Sequence, residues 1–308
     1  MYYLIHLIAF GLSLLPPWLS YALARALGRF IYYVIPIRRK IAQQNVERVY
    51  KDTISAQEKK RIVLGSYQTL AILGIETLRL RYTSKEKLLK TLQVHGNEYL
   101  ESALAQNKGV VVFAGHFGHI VLCGCAEAVR GVPVHVIAKG LHNKAAEKFY
   151  FETLKKFGVQ RLPTRRSKEQ ILAALSSGAA VYMVVDQHMP AHRGLVCRFF
   201  NQLASTTPAP TRFALQTGSP IIPCQSAMLD KAGLHEIRYR AEFVLDTSAQ
   251  TIEDSLRINT EGINRIIEED LKRKPEQWLW QHKRWKVQDQ PKDWDIPDDL
   301  MTLVQEHS

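Results

Sequence analysis

The chain has 308 residues, 46% of them hydrophobic, which supplies a core for one large domain or two modest ones and excludes a disordered chain. Lysine and arginine outnumber aspartate and glutamate by 41 to 29, so the net charge is +12. That charge predicts attraction to an anionic membrane, nucleic acid, an acidic protein or a phosphorylated substrate, without choosing among them.

Residues 1–37 form an apolar segment that predicts a membrane-associated element. The first 24 residues contain no Lys, Arg, Asp or Glu and are long enough to reach a bilayer. Pro16-Pro17 would break one long helix, and Arg25 and Arg29 interrupt the second half. Two short helices are therefore expected, one dipping into the leaflet and one lying at its surface; a hairpin packed into a soluble core is the alternative. The basic cluster 38–40 favours holding the remaining chain on the cytoplasmic side.

Residues 38–287 alternate between helix and strand patterns. Apolar spacings of three and four residues predict helices at 41–50, 55–80, 98–106, 144–158, 167–178 and 251–273. Short runs rich in valine and isoleucine predict strands at 92–96, 110–115, 134–139, 159–163, 180–187 and 220–229. This order predicts one α/β domain with a mixed, mostly parallel sheet flanked by helices. Ser55 and Glu58 form a capping-box pattern, and the polar residues 288–308 predict a loose C-terminal tail.

Two polar side chains follow buried strands of this predicted sheet. His116 comes directly after VVVFAG, and Gly118 allows a tight turn and close approach of a ligand. Asp186 comes directly after AVYMVV and is followed by Gln187. Because functional groups collect at the carboxyl ends of strands in α/β sheets, we expect His116 and Asp186 to converge in one cleft.

These blocks and two later ones resemble a known family. HFG at 116–118, DQ at 186–187, ASTTPAPTRFALQTGSPIIP at 204–223 and PEQWLWQHKRW at 275–285 occur in the order typical of lipid A (lauroyl/myristoyl) acyltransferases. That family belongs to the wider lysophospholipid and glycerolipid acyltransferase superfamily, and the resemblance covers about residues 1–286.

The resemblance implies a glycerolipid-acyltransferase-like fold at the cytoplasmic face of the bacterial inner membrane. The implied enzyme moves a fatty acyl chain from a thioester to a hydroxyl of a lipid A-type glycolipid, in lipopolysaccharide synthesis, without a cofactor. The donor is usually acyl carrier protein, and acyl-coenzyme A remains open. Membrane lipids, acyl carrier protein and the glycolipid acceptor are the implied partners.

The expected chemistry makes His116 the general base, because an alcohol that attacks a thioester needs a base with the pKa of imidazole. In the family pattern an acidic residue that orients the ring follows after four intervening residues, but Val121 stands at that position here. Glu127 lies too far along the segment to reach back. We therefore expect Asp186 to be the substitute partner of His116 or a substrate contact. Transfer to another acceptor lipid, or a catalytically impaired lipid-binding relative, are the alternatives.

Nine further residues are predicted to bind the substrates. They are His119, Gly118, Gln187, Arg165, Arg166, Ser205, Thr206, Thr207 and Arg212. Arg165 and Arg166 are the expected phosphate ligands, since guanidinium binds phosphate bidentately. Thr206 and Thr207 have hydroxyls for the substrate or for capping the next helix. His119 is expected either to bind acceptor phosphate, to substitute as a base, or only to point into a polar pocket.

Lysines and arginines between 139 and 168 suit acidic partners. Lys144, Lys148 and Lys155 are spaced to share one helix face, as docking of an acidic carrier protein requires. Nucleic acid is not an expected partner because the cluster lacks interleaved aromatic residues and any recognised motif.

No metal or disulfide is expected. His188 and His192 with Asp186 lack the third ligand and the helix of a persuasive zinc site. The cysteines at 123, 125, 197 and 224 lack paired spacing and predict reduced, buried thiols. The tryptophans of 275–285 are expected to pack, and Glu276 and Arg284 to pair.

Overall fold

The computed structural model describes residues 1–35 and 37–305. Its strands are β1 (Leu92–His95), β2 (Val110–Ala114), β3 (Val134–Ile137), β4 (Val159–Leu162), β5 (Ala180–Val184), β6 (Leu195–Phe199), β7 (Gln202–Thr206), β8 (Ile221–Met228) and β9 (His235–Tyr239). Seven of them form a sheet in the order β1-β9-β8-β2-β5-β3-β4, in which every neighbouring pair is parallel except β8 and β9. β6 and β7 form a separate antiparallel hairpin. The prediction of a mixed, mostly parallel sheet is confirmed.

The described residues contain a helix at each predicted position and further helices whose ranges were not predicted. They are α1 (Tyr2–Leu14), α2 (Pro17–Val34), α3 (Arg39–Tyr50), α4 (Ala56–Leu80), α5 (Lys85–Lys90), α6 (Asn97–Leu104), α7 (Val121–Val129), α8 (Lys144–Phe157), α9 (Lys168–Ser176), α10 (Ala209–Thr217), α11 (Ile252–Arg273), α12 (Lys286–Asp289) and α13 (Thr302–Gln305). At the start of α4 the Ser55 hydroxyl accepts the backbone N–H of Glu58 at 3.1 Å, which confirms the predicted N-terminal cap.

Both faces of the sheet are buried. Along β2, Val111 and Phe113 join the core that contains α4, α9 and α11, whereas Val110 and Val112 join the core that contains α6, α7 and α8. A strand buried on both faces appears in the sequence as a continuous apolar run, which is why β2 was recognisable. Its carboxyl end, just before His116, is therefore held from two sides.

The N-terminal segment breaks where its prolines predict, because α1 ends at Leu14 and α2 begins at Pro17. At Gly28, α2 lies directly against α4: a Cβ there would come within 2.5 Å of the Cα of Gln68. The outer faces of the two helices expose large apolar side chains: Tyr3, Leu4, Leu7, Ile8, Phe10, Leu14, Trp18, Leu23, Leu27, Phe30, Tyr33 and Val34. Among the described residues, none of the helices has the length and apolarity needed to span a bilayer.

Three strands were not predicted. In β9, His235, Ile237 and Tyr239 are buried while Glu236 and Arg238 are partly exposed, and two charged residues in five weaken the apolar signal. β6 and β7 are joined at Phe200 and Asn201, with φ of 51° and 52°. A two-residue turn with both φ values positive normally has the sequence Asn-Gly or Asp-Gly. Phe200-Asn201 contains no glycine, so the sequence did not indicate a hairpin here.

The C-terminal residues 288–305 were expected to be loose, yet they pack against the β6–β7 hairpin. Leu300 and Leu303 join a buried cluster with Leu203. The Gln288 side chain accepts the backbone N–H of Leu203 at 2.8 Å and donates to the carbonyl of Leu303 at 3.0 Å. A few well-spaced apolar residues outweigh the polar composition here. Residues 306–308 of the predicted tail lie outside the described residues.

Candidate active site

His116 and Asp186 lie side by side at the carboxyl edge of the sheet. β2 and β5 are adjacent and parallel, with Ala114 opposite Val184. His116 is two residues beyond the end of β2, and Asp186 is two residues beyond the end of β5. Parallel pairing in this register therefore brings the two side chains together, as their positions after the two strands predicted.

The Asp186 carboxylate makes three hydrogen bonds. Its Oδ1 lies 2.6 Å from Nδ1 of His116, and its Oδ2 accepts the backbone N–H of His116 at 2.7 Å. The indole N–H of Trp278 also donates to Oδ2, at 2.6 Å. A carboxylate that accepts from both the backbone and the ring of one histidine fixes the position and the orientation of that ring.

The environments of the two groups shift their pKa values in opposite directions. Burial by itself would raise the pKa of Asp186, but attraction to His116 and the hydrogen bonds from His116 and Trp278 prevail and lower it to about 2. Burial would lower the pKa of His116, but attraction to Asp186 and their hydrogen bond prevail and raise it. Asp186 is therefore ionised at neutral pH, and because it can only accept, Nδ1 of His116 carries the proton.

The second ring nitrogen of His116 remains available for chemistry. Nε2 lies 3.4 Å from the side-chain nitrogen of Gln187, and the His116 side chain is 36% exposed. Both residues line a pocket of ≈ 550 Å³. Much of its wall is apolar or aromatic, and includes Val121, Gly124, Tyr150, Leu154, Val159 and Tyr182. An imidazole on the wall of an apolar pocket can deprotonate a hydroxyl beside a bound hydrocarbon chain when that hydroxyl replaces the long contact of Nε2 with Gln187.

The position of the missing family acid is part of this pocket. Val121 opens α7 and lines the pocket wall beside His116. Glu127, on the same helix, is buried and accepts from Arg130 at 2.5 Å and from the Tyr239 hydroxyl at 3.3 Å. The expectation that Glu127 does not serve His116 agrees with these partners.

His119 and Gly118 follow His116 in the segment between β2 and α7. His119 is buried, and its Nε2 lies 3.4 Å from the Thr77 hydroxyl. Burial lowers its pKa to about 4, so the ring is neutral at physiological pH. Gly118 has φ of 53°, and a Cβ there would come within 2.3 Å of the Ser226 carbonyl oxygen. The backbone geometry alone accounts for glycine at this position.

Ser205 and Thr206 hold a protein side chain. Both are fully buried in β7. Arg284 donates to the Ser205 carbonyl at 2.7 Å and to the Thr206 hydroxyl at 2.5 Å, and its guanidinium lies 4.6 Å from the Phe199 ring centroid. These contacts give the Ser205 backbone and the Thr206 side chain a structural role, and the substrate role of the two residues stays a prediction. They also correct the suggested pairing of Glu276 with Arg284.

The remaining predicted contacts divide into pocket and surface residues. Thr207 lines the apolar pocket, and its hydroxyl accepts the backbone N–H of Ala209 at 3.3 Å, at the start of α10. Arg212 is exposed on α10 and does not line that pocket. Arg165 and Arg166 are exposed on the loop after β4, directly after Thr164 of the pocket wall.

The α8 lysines share one face, as predicted. Lys144, Lys148 and Lys155 line one open groove. Glutamates interrupt this positive face: Lys144 pairs with Glu147 at 2.9 Å, and Lys148 lies 4.0 Å from Glu152. The net positive charge of the groove is therefore smaller than the lysines alone suggested.

His188 has a packing role. Its ring contacts Trp294, and its backbone N–H donates to Nε2 of His282 at 3.2 Å. Burial lowers the pKa of both histidines to about 4. Within residues 1–35 and 37–305, no group of three His, Cys, Asp or Glu is placed to hold a metal ion.

Two residues of the site were not identified from sequence. Trp278 was expected only to pack, and its N–H contacts Asp186. Arg193 lines the pocket and donates to the Thr164 carbonyl at 2.9 Å. A buried tryptophan needs a partner for its N–H, which signals a contact but not which residue accepts it.

Comparison with known proteins shows the family of the chain. The family model described as bacterial lipid A biosynthesis acyltransferase matches residues 1–287. Lipid A biosynthesis palmitoleoyltransferase of Escherichia coli K12 is 24% identical over 289 residues, 90% of each chain. Lipid A biosynthesis lauroyltransferase of the same organism is 20% identical over 275 residues, 89% of this chain and 87% of the relative. A lipid A biosynthesis acyltransferase of Haemophilus influenzae is 21% identical over 271 residues, 87% of this chain and 82% of the relative. The chain therefore belongs to the bacterial lipid A biosynthesis acyltransferase family and is an acyltransferase enzyme.

Proposed function

We propose that this enzyme transfers a fatty acyl chain from an acyl thioester to a hydroxyl of a lipid A-type glycolipid. The observation that carries the proposal is the contact of 2.6 Å between His116 Nδ1 and Asp186 Oδ1 at an apolar pocket of ≈ 550 Å³. The base and the hydrocarbon site required for acyl transfer are thus adjacent. The names of the relatives support the choice of acceptor.

His116 and Asp186 act as a base and its orienting acid. Nε2 of His116 takes the proton of the acceptor hydroxyl as the oxygen attacks the thioester carbonyl carbon. Asp186 stabilises the imidazolium that forms. The tetrahedral intermediate then collapses, the C–S bond breaks, and the imidazolium returns the proton to the leaving thiolate. The acceptor is itself the nucleophile, so no acyl-enzyme forms.

The neighbouring polar groups bind the substrates. Gln187 places its amide 3.4 Å from Nε2 of His116, within reach of an oxygen of the reacting group. Lys139 and Arg193 are exposed residues of the pocket wall, and Arg165 and Arg166 lie on the adjoining loop. We assign these four cations to phosphate on the acceptor or the donor, because guanidinium and ammonium groups bind phosphate strongly.

Acyl carrier protein is the proposed donor, and α8 its docking surface. The three lysines of the α8 groove face outward and suit a partner rich in acidic side chains. Charge complementarity of this kind accelerates association more than it increases affinity. Acyl-coenzyme A would bypass the groove, so an effect of α8 charge substitutions on one donor only would separate the two.

The exposed apolar faces of α1 and α2 are the proposed contact with the membrane. Leu7 and Leu27 are 67% and 45% exposed, and Arg25 and Arg29 lie on the exposed side of α2. Apolar residues with flanking cations are typical of a helix that lies in the interface of an anionic membrane. With the basic cluster 38–40, this supports placement at the cytoplasmic face of the inner membrane. Loss of vesicle flotation in the Leu7→Glu, Leu27→Glu double variant tests it.

Turnover of detergent-solubilised protein tests the main proposal. Acyl-carrier-protein and coenzyme A thioesters are offered with a lipid A precursor or a lysophospholipid, and His116→Ala is the inactive reference. We expect ester formation on the lipid A precursor, abolished in His116→Ala. Turnover on lysophospholipid alone would reassign the acceptor. No turnover with any pair would indicate a lipid-binding relative without catalysis.

A further inference from the structure

A second cavity lies beneath the N-terminal helices. Its volume is ≈ 390 Å³. His119 lines both this cavity and the small pocket that also includes His116, so it separates the catalytic site from the second cavity. Residues of α1, α2, α4, α5 and β9 form the remaining wall, among them Phe10, Leu14, Tyr21, Glu76, Arg79 and His235. None of these side chains has a role in the acyl transfer described above.

Glu76 is the acidic residue of this cavity. Its Oε1 accepts the hydroxyl of Tyr21 at 2.5 Å and lies 3.0 Å from Nε2 of His235. Attraction to His235 and the hydrogen bonds from His235 and Tyr21 outweigh burial and lower the pKa of Glu76, so the carboxylate is ionised. A buried carboxylate on a cavity wall, held by only one of its oxygens, is an acceptor for a positively charged donor.

Two polar atoms of this pair are unsatisfied. Within the described residues, Oε2 of Glu76 and Nδ1 of His235 have no hydrogen-bond partner, and His235 is only 2% exposed. Leaving an ionised oxygen buried without a donor costs free energy, because the oxygen has lost its hydrogen bonds to water. Both side chains line the cavity, and a rotation of the Glu76 carboxylate that turns Oε2 towards the cavity would let a bound donor remove this cost.

Positive and apolar groups complete the cavity wall. Arg79 uses one guanidinium nitrogen on the Leu12 carbonyl, at 2.6 Å, and Lys87 is exposed on α5. Phe10 and Leu14 are 48% and 69% exposed and belong to the outer apolar face of α1. The cavity therefore combines an apolar rim, two cations and a buried carboxylate.

We propose that this cavity binds the headgroup of a zwitterionic phospholipid that carries a primary ammonium. The ammonium donates to Oε2 of Glu76, the phosphate binds Arg79 and Lys87, and the acyl chains lie along Phe10 and Leu14. A primary ammonium has N–H donors and a quaternary one has none, so the site discriminates between the two. The lipid is a ligand of the N-terminal helices, and its binding does not depend on the identity of the acyl acceptor.

Isothermal titration with soluble dihexanoyl lipids tests the proposal on the full chain in non-ionic detergent. The lipids carry phosphoethanolamine, phosphocholine or phosphoglycerol headgroups. We expect the first to bind about 10-fold more tightly than the other two, since its ammonium is the one charged N–H donor among the three headgroups. Free phosphoethanolamine without acyl chains should bind more weakly than the lipid, because it forgoes the apolar rim.

Two variants separate the contacts. Glu76→Gln should weaken only the phosphoethanolamine lipid, by about 10-fold, whereas Lys87→Gln should weaken all three lipids by a similar factor of about 2 to 5. Glu269→Gln removes an exposed carboxylate paired with Arg240 and should change none of the affinities. The melting temperature of each variant reports folding.

Equal affinity for the three headgroups in the unmodified protein would overturn the proposal, and this comparison holds even if Glu76→Gln does not fold. Unchanged selectivity in a folded Glu76→Gln variant would overturn it as well. Free phosphoethanolamine binding as tightly as the lipid would replace a membrane lipid with a soluble phosphorylated amine. Absence of acyl transfer in the same preparations would affect only the proposed function.

Discussion

Asp186 contacts His116 twice, through the backbone amide at 2.7 Å and through Nδ1 of the ring at 2.6 Å. The acid that follows the histidine after four residues in the family pattern would come from the adjoining helix, where Val121 stands here. Asp186, which follows the neighbouring strand, reaches Nδ1 of the ring because β2 and β5 are paired in parallel.

The first prediction concerns the pH dependence of the unmodified enzyme. A general base must be neutral, and Asp186 favours the protonated ring, so it raises the pKa of His116. We expect kcat/KM to fall on the acid side with an apparent pKa above 6.5, the ordinary imidazole value. A pH profile of kcat/KM with a saturable acceptor measures it. An acid limb below pH 6 would show that Asp186 does not act on the base.

Replacement of Asp186 by asparagine should reduce kcat by about 10³ to 10⁴, as loss of the orienting acid does in serine proteases. Without the Asp186 charge, burial lowers the pKa of the His116 ring. The acid side of the pH profile of kcat/KM should therefore also move to lower pH. Asp230→Asn is the matched control, because Asp230 is fully exposed and pairs only with Lys274. A loss of activity without movement of the limb would indicate a substrate contact instead.

Introducing an acid at position 121, where the family pattern has one, should not increase activity. Val121→Glu places a carboxylate in the apolar pocket wall, while Nδ1 of His116 is already bound to Asp186. Burying that charge is unfavourable, so we expect kcat/KM to fall about 10-fold or more, with KM for the acyl donor raised. Val121→Gln is the uncharged control. A gain of activity in Val121→Glu would mean that Asp186 does not supply the orienting acid.

Removing the indole N–H of Trp278 should weaken the support of the His116–Asp186 pair without leaving a cavity in the core. Trp278→Phe keeps the aromatic ring and loses the N–H bonded to Asp186 at 2.6 Å. A hydrogen bond to a charged group contributes about 1.5–3 kcal/mol, so kcat should fall about 10-fold or more, with KM little changed. Trp280→Phe loses a bond to the Pro275 carbonyl and should affect melting only. Equal effects of the two on kcat would argue against a positioning role for Trp278.

The buried Thr206 and its partly exposed neighbour Thr207 should behave differently. Thr206→Val removes the hydroxyl that accepts from Arg284 and should lower the free energy of unfolding by about 1–3 kcal/mol, with kcat and KM preserved. Thr207→Val alters a residue of the pocket wall and should change KM with little effect on unfolding. Urea denaturation and steady-state kinetics on both variants decide it. A raised KM in a stable Thr206→Val protein would restore its predicted substrate role.

The amino-acid order alone determined the strands and helices whose patterns are continuous. β2 and β5 are buried on both faces, so their apolar runs identified them and placed His116 and Asp186 at strand ends. Proline pairs and capping residues act locally, which is why the break before Pro17 and the cap at Ser55 were predictable. These features depend on neighbours within a few residues.

Only the tertiary structure decided which residues meet. Trp278 reaches Asp186 across 92 residues, and Arg284 binds Thr206 across 78. Thr206 is buried, and its hydroxyl, which was expected to contact the substrate, accepts a hydrogen bond from the buried guanidinium of Arg284. The cavity around Glu76 likewise joins segments from α1 to β9. Burial and hydrogen bonding between residues so far apart in sequence depend on how the helices pack on the sheet. The spacing of residues within one segment does not determine that packing.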